Sequence, residues 1–142
     1  METYNNILVV CQASRYCTKV FKTGVSLARK FDARLHVLHV IHDPFSIIPA
    51  PYQDEEYKTL AEKARVELDR MVKAEKAEGL VANEWVRDGN PVDIIFNAVE
   101  EASIDLILML SRKEGRVEHH LFGKTNEAII RKLPASIMLV AA

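Results

Sequence analysis

Apolar positions recur along the chain in two alternating patterns, one typical of strands and one typical of helices. Ile7–Cys11 is a short continuous apolar run, as expected of a strand buried on both faces of a parallel sheet. Val81–Arg87 alternates between apolar and polar residues, which predicts a strand nearer a sheet edge. The same reasoning predicts three further strands at Leu35–Val40, Leu106–Leu110 and Ser136–Val140.

Apolar residues at helical spacing fill the intervals between these strands. The predicted helices are Thr18–Phe31, Asp54–Glu78, Asn90–Ser103 and Lys124–Lys132. Gly79 suits a left-handed C-terminal cap, and Asn90 followed by Pro91 suits a helix start. Gly24 is expected to weaken the first helix by about 1 kcal/mol relative to alanine. The inward-facing residues predicted for the last two helices are Val92, Ile95, Phe96, Val99 and Ala102, then Ala128, Ile129 and Leu133.

The alternation of five strands with four helices predicts a single α/β domain over residues 1–142. The expected architecture is a doubly wound, five-stranded parallel sheet with helices on both faces. Ligands of such sheets bind outside the carboxyl ends of the strands, where the strand order reverses. The loops after the first, second and fourth strands are therefore the places to look for a binding site.

Composition and charge exclude several classes of partner. The chain carries 19 Lys and Arg against 20 Asp and Glu, a net charge of -1, so no overall field favours nucleic acid or a membrane surface. No apolar segment approaches the roughly 18 residues of a membrane-spanning helix, and the first residues do not resemble a signal peptide. The spacing of Cys11 and Cys17 fits neither a redox motif nor a zinc site, which favours a reduced, cytoplasmic compartment.

The loop SRKEGRVEHHLFGKT, residues 111–125, concentrates positive charge after the fourth strand. One interpretation is an anion site built from cationic side chains, because Lys124 at a helix start is unfavourable unless an anion is present. The other is a solvated surface loop. The final GKT resembles the end of a Walker A loop, but Glu118 stands where that motif requires glycine.

No residue cluster predicts catalysis or metal binding. His119 and His120 are adjacent, so they cannot easily share one metal, and no further ligand lies at a suitable spacing. Cys11 is expected to be a small buried thiol, whereas Cys17 at a helix start could be redox sensitive. His36, His39 and Trp85 are expected to be structural. With no general base, nucleophile pair or metal-ligand set, the chain is not expected to be an enzyme.

Four segments in a fixed order resemble the universal stress protein family over essentially the whole chain. They are ILVVCQAS, LHVLHV, DGNP and DLILML followed by FGKTNEAIIRKLPASIMLV. The resemblance implies strand order 3-2-1-4-5, an adenine-nucleotide α-hydrolase-like fold, and a homodimer through the fifth strand, Ser136–Val140. An apolar edge strand at that position would itself invite pairing with a second copy.

Many members of that family bind ATP through a G-x-x-G-x9-G-[S/T] loop and an Asp at the end of strand one. Those positions fall here on Leu110, Lys113, Gly123 and Lys124, with Gln12 in place of the Asp. Only Gly123 matches. The chain is therefore similar to the branch that lacks the motif and is not thought to bind ATP.

Three functional hypotheses follow from this comparison. The first is a cytoplasmic, homodimeric stress-response regulator that acts through protein partners. The second is a regulator that binds ATP or AMP, and the third, least supported, is an adenine-nucleotide hydrolase. The candidate nucleotide site consists of Gln12, Ala13, Val40, Lys113, Gly115, Gly123, Lys124 and Thr125.

Overall fold

The structure is a computed structural model that describes residues 3–11, 17–42, 55–111 and 124–141. The described chain runs β1 (Asn6–Cys11), α1 (Cys17–Phe31), β2 (Arg34–His42), α2 (Glu55–Ala77), β3 (Ala82–Gly89), α3 (Pro91–Ala102), β4 (Leu106–Ser111), α4 (Lys124–Lys132) and β5 (Ser136–Ala141). Each predicted strand and helix is present, with ends that differ from the sequence-based bounds by at most two residues.

The five strands form one parallel sheet in the order β3-β2-β1-β4-β5. This confirms the predicted fold class and strand order. β1 lies at the centre, where Cys11 is level with His39 of β2. β4 pairs with β5 along its whole length, and Leu110 is level with Val140. The strand order reverses between β1 and β4, so the carboxyl ends of these two strands mark the position at which ligands of doubly wound sheets bind.

Two hydrophobic clusters cover the two faces of the sheet, because successive strand residues point to opposite sides. On one face, Ile7 and Val9 of β1 pack with Phe21 of α1 and Leu68 of α2. On the other face, Leu8 and Val10 of β1 pack with residues of α3 and α4, including Ile95, Ala98 and Ile129. Both faces of the central strands are therefore buried, as their continuous apolar sequence predicts.

Two predicted helix ends have the geometry that their residues favour. Gly79 has a φ of 97°, and its N–H donates to the carbonyl of Lys76, while the N–H of Leu80 donates to that of Glu75. This pair of bonds is a Schellman cap. At the start of α3, Oδ1 of Asn90 accepts from the backbone N–H of Val92 at 3.0 Å.

The structure corrects the predicted inner faces of the last two helices. In α3 the buried residues are Pro91, Ile94, Ile95, Ala98 and Val99, whereas Val92, Phe96 and Ala102 are only partly buried. The small Ala98 lies on the face against the sheet, which a count of large apolar residues does not reveal. In α4 Ile129 is buried, but Leu133 is 63% exposed because it follows the helix with a φ of 45° and points outward.

Candidate functional site

The carboxyl edge of the sheet contains the described part of the candidate nucleotide site. Val40 is buried near the end of β2, and Thr125 is only 4% exposed in the first turn of α4. Lys124 is the first residue of α4. Gln12, Ala13, Lys113, Gly115 and Gly123 lie outside the described residues. The structure therefore describes three of the eight candidates, one on β2 and two on α4.

A buried hydrogen bond joins α4 to β4 at this edge, and sequence reasoning missed it. Nδ2 of Asn126 donates to the backbone carbonyl of Leu110 at 2.9 Å. Asn126 is buried, and its Oδ1 has no hydrogen-bond partner among the described residues. The sequence feature that could have indicated this bond is an Asn in the first turn of a helix, where its side chain can bond backbone groups. The bond fixes the start of α4 against the last residues of β4.

The two cysteines flank the loop after β1. Cys11 ends β1 and Cys17 begins α1, and both are buried in the same hydrophobic cluster. Burial, together with a hydrogen bond to Cys17, raises the pKa of the Cys11 thiol well above its ordinary value. Cys11 is thus held as a neutral thiol, which agrees with its expected structural role.

A second group of polar side chains lies between α2 and the edge of the sheet. Nε2 of His39, on β2, is 2.9 Å from Oε2 of Glu84, on β3. Burial and then the charge of Arg65 lower the pKa of His39 to about 4. Burial and then a hydrogen bond to Asp69 of α2 raise the pKa of Glu84 to about 7. Between these two values both side chains are neutral, so the contact is a hydrogen bond rather than an ion pair.

The opposite face of β2 and β3 has an aromatic stack. His36 is buried and stacks on Trp85, with ring centroids 5.3 Å apart, and the Arg87 guanidinium lies 4.6 Å from the Trp85 ring centroid. Nε2 of His36 is 3.3 Å from Oδ1 of Asn6, while Nδ1 has no partner among the described residues. Burial lowers the pKa of His36, and Arg34 adds to the effect. These contacts agree with structural roles for His36 and Trp85.

A groove of 560 Å³ lies at the amino ends of the strands, on the side of the sheet away from the candidate site. Asn5, Asn6, Asp32 and Arg34 line it together with Arg29, which pairs with Glu75 at 2.6 Å. The groove therefore lies at the edge opposite the carboxyl edge, where ligands of doubly wound sheets bind.

Two kinds of feature are absent from the described residues. None of the helices in these ranges is both long enough and apolar enough to cross a membrane. Within the same ranges, the His, Cys, Asp and Glu side chains form no cluster of three or more that could hold a metal ion.

Comparison with known proteins gives a consistent result over the whole chain. The model of the universal stress protein family matches residues 3–141. A universal stress protein of Methanocaldococcus jannaschii is 24% identical over 139 residues, covering 96% of this chain and 82% of the relative.

Two solved structures share the fold. The universal stress protein UspA from Lactobacillus plantarum superposes with a TM-score of 0.69 at 20% identity, over 99% of each chain. A universal stress protein family protein from Arabidopsis thaliana, with AMP bound, gives a TM-score of 0.63 at 19% identity, over 96% of this chain and 91% of that one. The match of the family model to nearly every residue, on a sheet of the expected strand order, identifies this chain as a member of the universal stress protein family.

Proposed function

We propose that this protein is a cytoplasmic stress-response regulator that acts as a homodimer through protein partners and does not use the ATP loop described for many members of its family. The observation that carries the proposal is the position and burial of Leu110. This residue stands where that loop has its first glycine, and here it is 2% exposed within β4.

The side chain at this position argues against close contact with a phosphate. Leucine adds bulk where a glycine would let a ligand approach the backbone. In addition, Gln12 replaces the acidic residue and lacks a carboxylate to accept hydrogen bonds from a ribose.

The free side of β5 supports a homodimer. Among the described strands β5 pairs only with β4, so its other edge has unpaired backbone groups. Met138 and Leu139 point to opposite faces of the sheet and are 37% and 45% exposed. Ile130 on α4 adds further exposed apolar surface. A second copy related by a two-fold axis would cover both edges at once.

Nucleotide binding is the second candidate function. Its support is the AMP bound to the Arabidopsis relative and the position of Val40 and Thr125 at the carboxyl edge. In this form of the proposal, Lys113 and Lys124 hold the phosphates in place of glycine amides, and Gln12, Ala13, Gly115 and Gly123 complete the site. The burial of Thr125 leaves little of its surface for a ligand.

Thermal unfolding of the purified protein distinguishes the two candidates. The protein is heated alone and with millimolar ATP or AMP, with and without Mg²⁺. A ligand at a hundred times its Kd stabilises the folded state by about 2.7 kcal/mol. We expect no shift with any nucleotide. An upward shift that is lost in the double variant Lys113→Ala, Lys124→Ala would instead establish the nucleotide-binding alternative.

A further inference from the structure

The helix α1 carries only positive charge. Its sequence, Cys17–Phe31, contains four cations and no acidic residue. The neighbouring α2 contains six acidic and six basic residues, so its own charges balance. Both helices lie on the same face of the sheet, where Arg29 of α1 pairs with Glu75 of α2 at 2.6 Å. The excess of positive charge on this face is therefore concentrated on α1.

Three lysines form a basic stripe along the outer surface of α1. Lys19, Lys22 and Lys30 are exposed, and none of them has an ion pair among the described residues. By contrast, Arg65 and Arg70 of α2 each pair with a glutamate of their own helix. Lys19 and Lys30 are three helical turns apart and therefore lie on one side of α1, about 16 Å from each other. The basic stripe has no acidic partner within the part of the chain that the structure describes.

An exposed aromatic residue lies at the carboxyl end of the basic stripe. Phe31, the last residue of α1, is 36% exposed. Its ring meets the ring of Tyr4 edge to face, with the two centroids 5.3 Å apart. Aromatic side chains are enriched in the centres of protein interfaces, whose rims are polar. The stripe therefore ends at a surface on which an apolar side chain of a partner can pack.

The groove at the amino ends of the strands adjoins the same end of α1. Ala28 and Arg29 of α1 line it, followed by Asp32 and Arg34. Its volume of 560 Å³ is within the range of pockets that hold small ligands or inserted side chains. The carboxyl end of α1 carries partial negative charge, and Asp32 adds to it, which offsets the two arginines. The groove therefore suits a polar side chain, whereas the acidic residues of a partner belong on the stripe.

We propose that the basic stripe, Phe31 and the groove form one docking surface for an acidic peptide segment of a partner protein. The inference rests on the part of the proposed function in which the protein acts through protein partners, and it adds the surface and the chemistry of the partner. Acidic side chains of the segment contact the stripe, and an apolar side chain packs on Phe31. At about 3.3 Å per residue, about five extended residues span the stripe.

The charge of the surroundings favours a short protein segment over a large polyanion. A nucleic acid or a membrane surface extends well beyond the length of the stripe and would lie against the six acidic residues of α2. The chain as a whole also has a net charge of -1, so no overall field attracts such a partner. A peptide segment can match the stripe alone.

Selection from a phage-displayed library of random peptides, about twelve residues long, tests the chemistry of the partner. With wild type as the target, the enriched peptides are expected to be acidic and to contain an apolar residue. The double variant Lys19→Glu, Lys22→Glu is expected not to enrich them. The docking surface is overturned if nothing is enriched, if the enriched peptides are neutral or basic, or if both proteins enrich the same peptides. Enriched peptides that are not acidic would leave the proposed action through protein partners in place.

Fluorescence anisotropy with one enriched, labelled peptide tests the surface itself. Lys19→Glu with Lys22→Glu is expected to weaken binding at least about tenfold, because acidic side chains would then face glutamates. Phe31→Ala is expected to weaken it separately, and added salt should weaken binding to wild type. The matched control is Lys63→Glu with Arg70→Glu, which changes the net charge equally at exposed positions of α2. Binding to this control as weak as to the stripe variant would show that net charge alone is responsible and would overturn the docking surface.

Two further probes distinguish the class of partner in the same assay. A labelled single-stranded oligonucleotide and vesicles that contain anionic lipid are each compared with the peptide, and both are expected to bind more weakly. Tighter binding of either probe overturns the assignment to a protein segment. Circular dichroism and light scattering of the stripe variant should match wild type, which separates loss of docking from loss of the fold or of the homodimer.

Discussion

Gly24 of α1 lies against Val9 of β1, so close that a Cβ added to Gly24 would be 2.6 Å from Cγ2 of Val9. The same Cβ would be 3.2 Å from Cδ1 of Leu35 on β2. Both neighbours are fully buried, and neither can move without disturbing the centre of the sheet. The glycine that appears unfavourable in the helical sequence therefore allows α1 to approach the sheet closely.

Gly24→Ala is expected to destabilise the protein. Overpacking a buried position costs about 1 to 3 kcal/mol, whereas alanine recovers about 1 kcal/mol of helix propensity. Urea unfolding should therefore show a lower midpoint than wild type. Ser26→Ala, at an exposed position of the same helix, is the control and should change stability little. A Gly24→Ala protein as stable as wild type would show that the helix can move away from Val9 at no cost.

The general architecture could be predicted because it depends on local pattern. Continuous apolar runs such as Ile7–Cys11 identify buried strands, and Gly79 and Asn90 identify helix ends by their own backbone preferences. The strand order was predicted from the family resemblance, because the spacing of apolar residues does not show which strands are neighbours in the sheet. Most of the described secondary structure therefore follows from the sequence.

Contacts between distant residues could not be predicted in the same way. His39 and Glu84 are 45 residues apart and meet only because β3 pairs beside β2 in one register. Asn126 reaches Leu110 only after α4 has docked beside β4. Topology predicts the candidate site at the carboxyl edge of the sheet. Five of its eight residues lie outside the described ranges, and the whole site stays a prediction.

The stability of two single variants should depend on pH in opposite directions. The pKa of Glu84 rises from 4.5 to about 7 on folding, so its contribution is present below pH 4.5 and lost as pH rises through about 7. The pKa of His39 falls from 6.5 to about 4, so its contribution is present above pH 6.5 and lost as pH falls through about 4. In wild type these two effects nearly cancel between pH 4.5 and 6.5.

Each variant removes one of the two effects. His39→Gln leaves Glu84, so its stability relative to wild type should fall as pH rises across this window. Glu84→Gln leaves His39, so its relative stability should rise with pH. Urea unfolding at half-unit pH intervals measures both slopes. Slopes of the same sign would contradict the assigned shifts. Glu67 of α2 is exposed and pairs with Arg70, so Glu67→Gln is the control and should parallel wild type throughout.

Asn126→Ala is expected to destabilise the protein by about 1 to 3 kcal/mol, because it leaves the buried carbonyl of Leu110 without its donor. Glu127→Ala is the matched control at the next, exposed position of α4 and should have a small effect. Thermal unfolding of both variants provides the comparison. If Asn126→Ala is as stable as the control, the bond from α4 to β4 contributes nothing measurable.

The two thiols should react slowly with a thiol reagent such as DTNB in the native protein. Cys11 and Cys17 are both buried, and the raised pKa of Cys11 disfavours its reactive thiolate. Unfolding in urea should release two reactive thiols per chain. Rapid reaction of one thiol in native wild type that persists in Cys11→Ser and disappears in Cys17→Ser would instead support the redox sensitivity expected for Cys17 from its sequence position.

Leu139→Glu is expected to convert the proposed dimer to a monomer. A charge at this exposed position of β5 would be buried against the second copy without a partner, which is strongly unfavourable. Val86→Glu is the matched control, because Val86 is 49% exposed, close to the 45% of Leu139, but lies on β3 at the opposite edge of the sheet. Light scattering after size-exclusion chromatography should give two chains for wild type and Val86→Glu and one for Leu139→Glu. A dimer that survives Leu139→Glu but dissociates in Val86→Glu would place the interface on β3, and a monomeric wild type would remove homodimerisation from the proposed function.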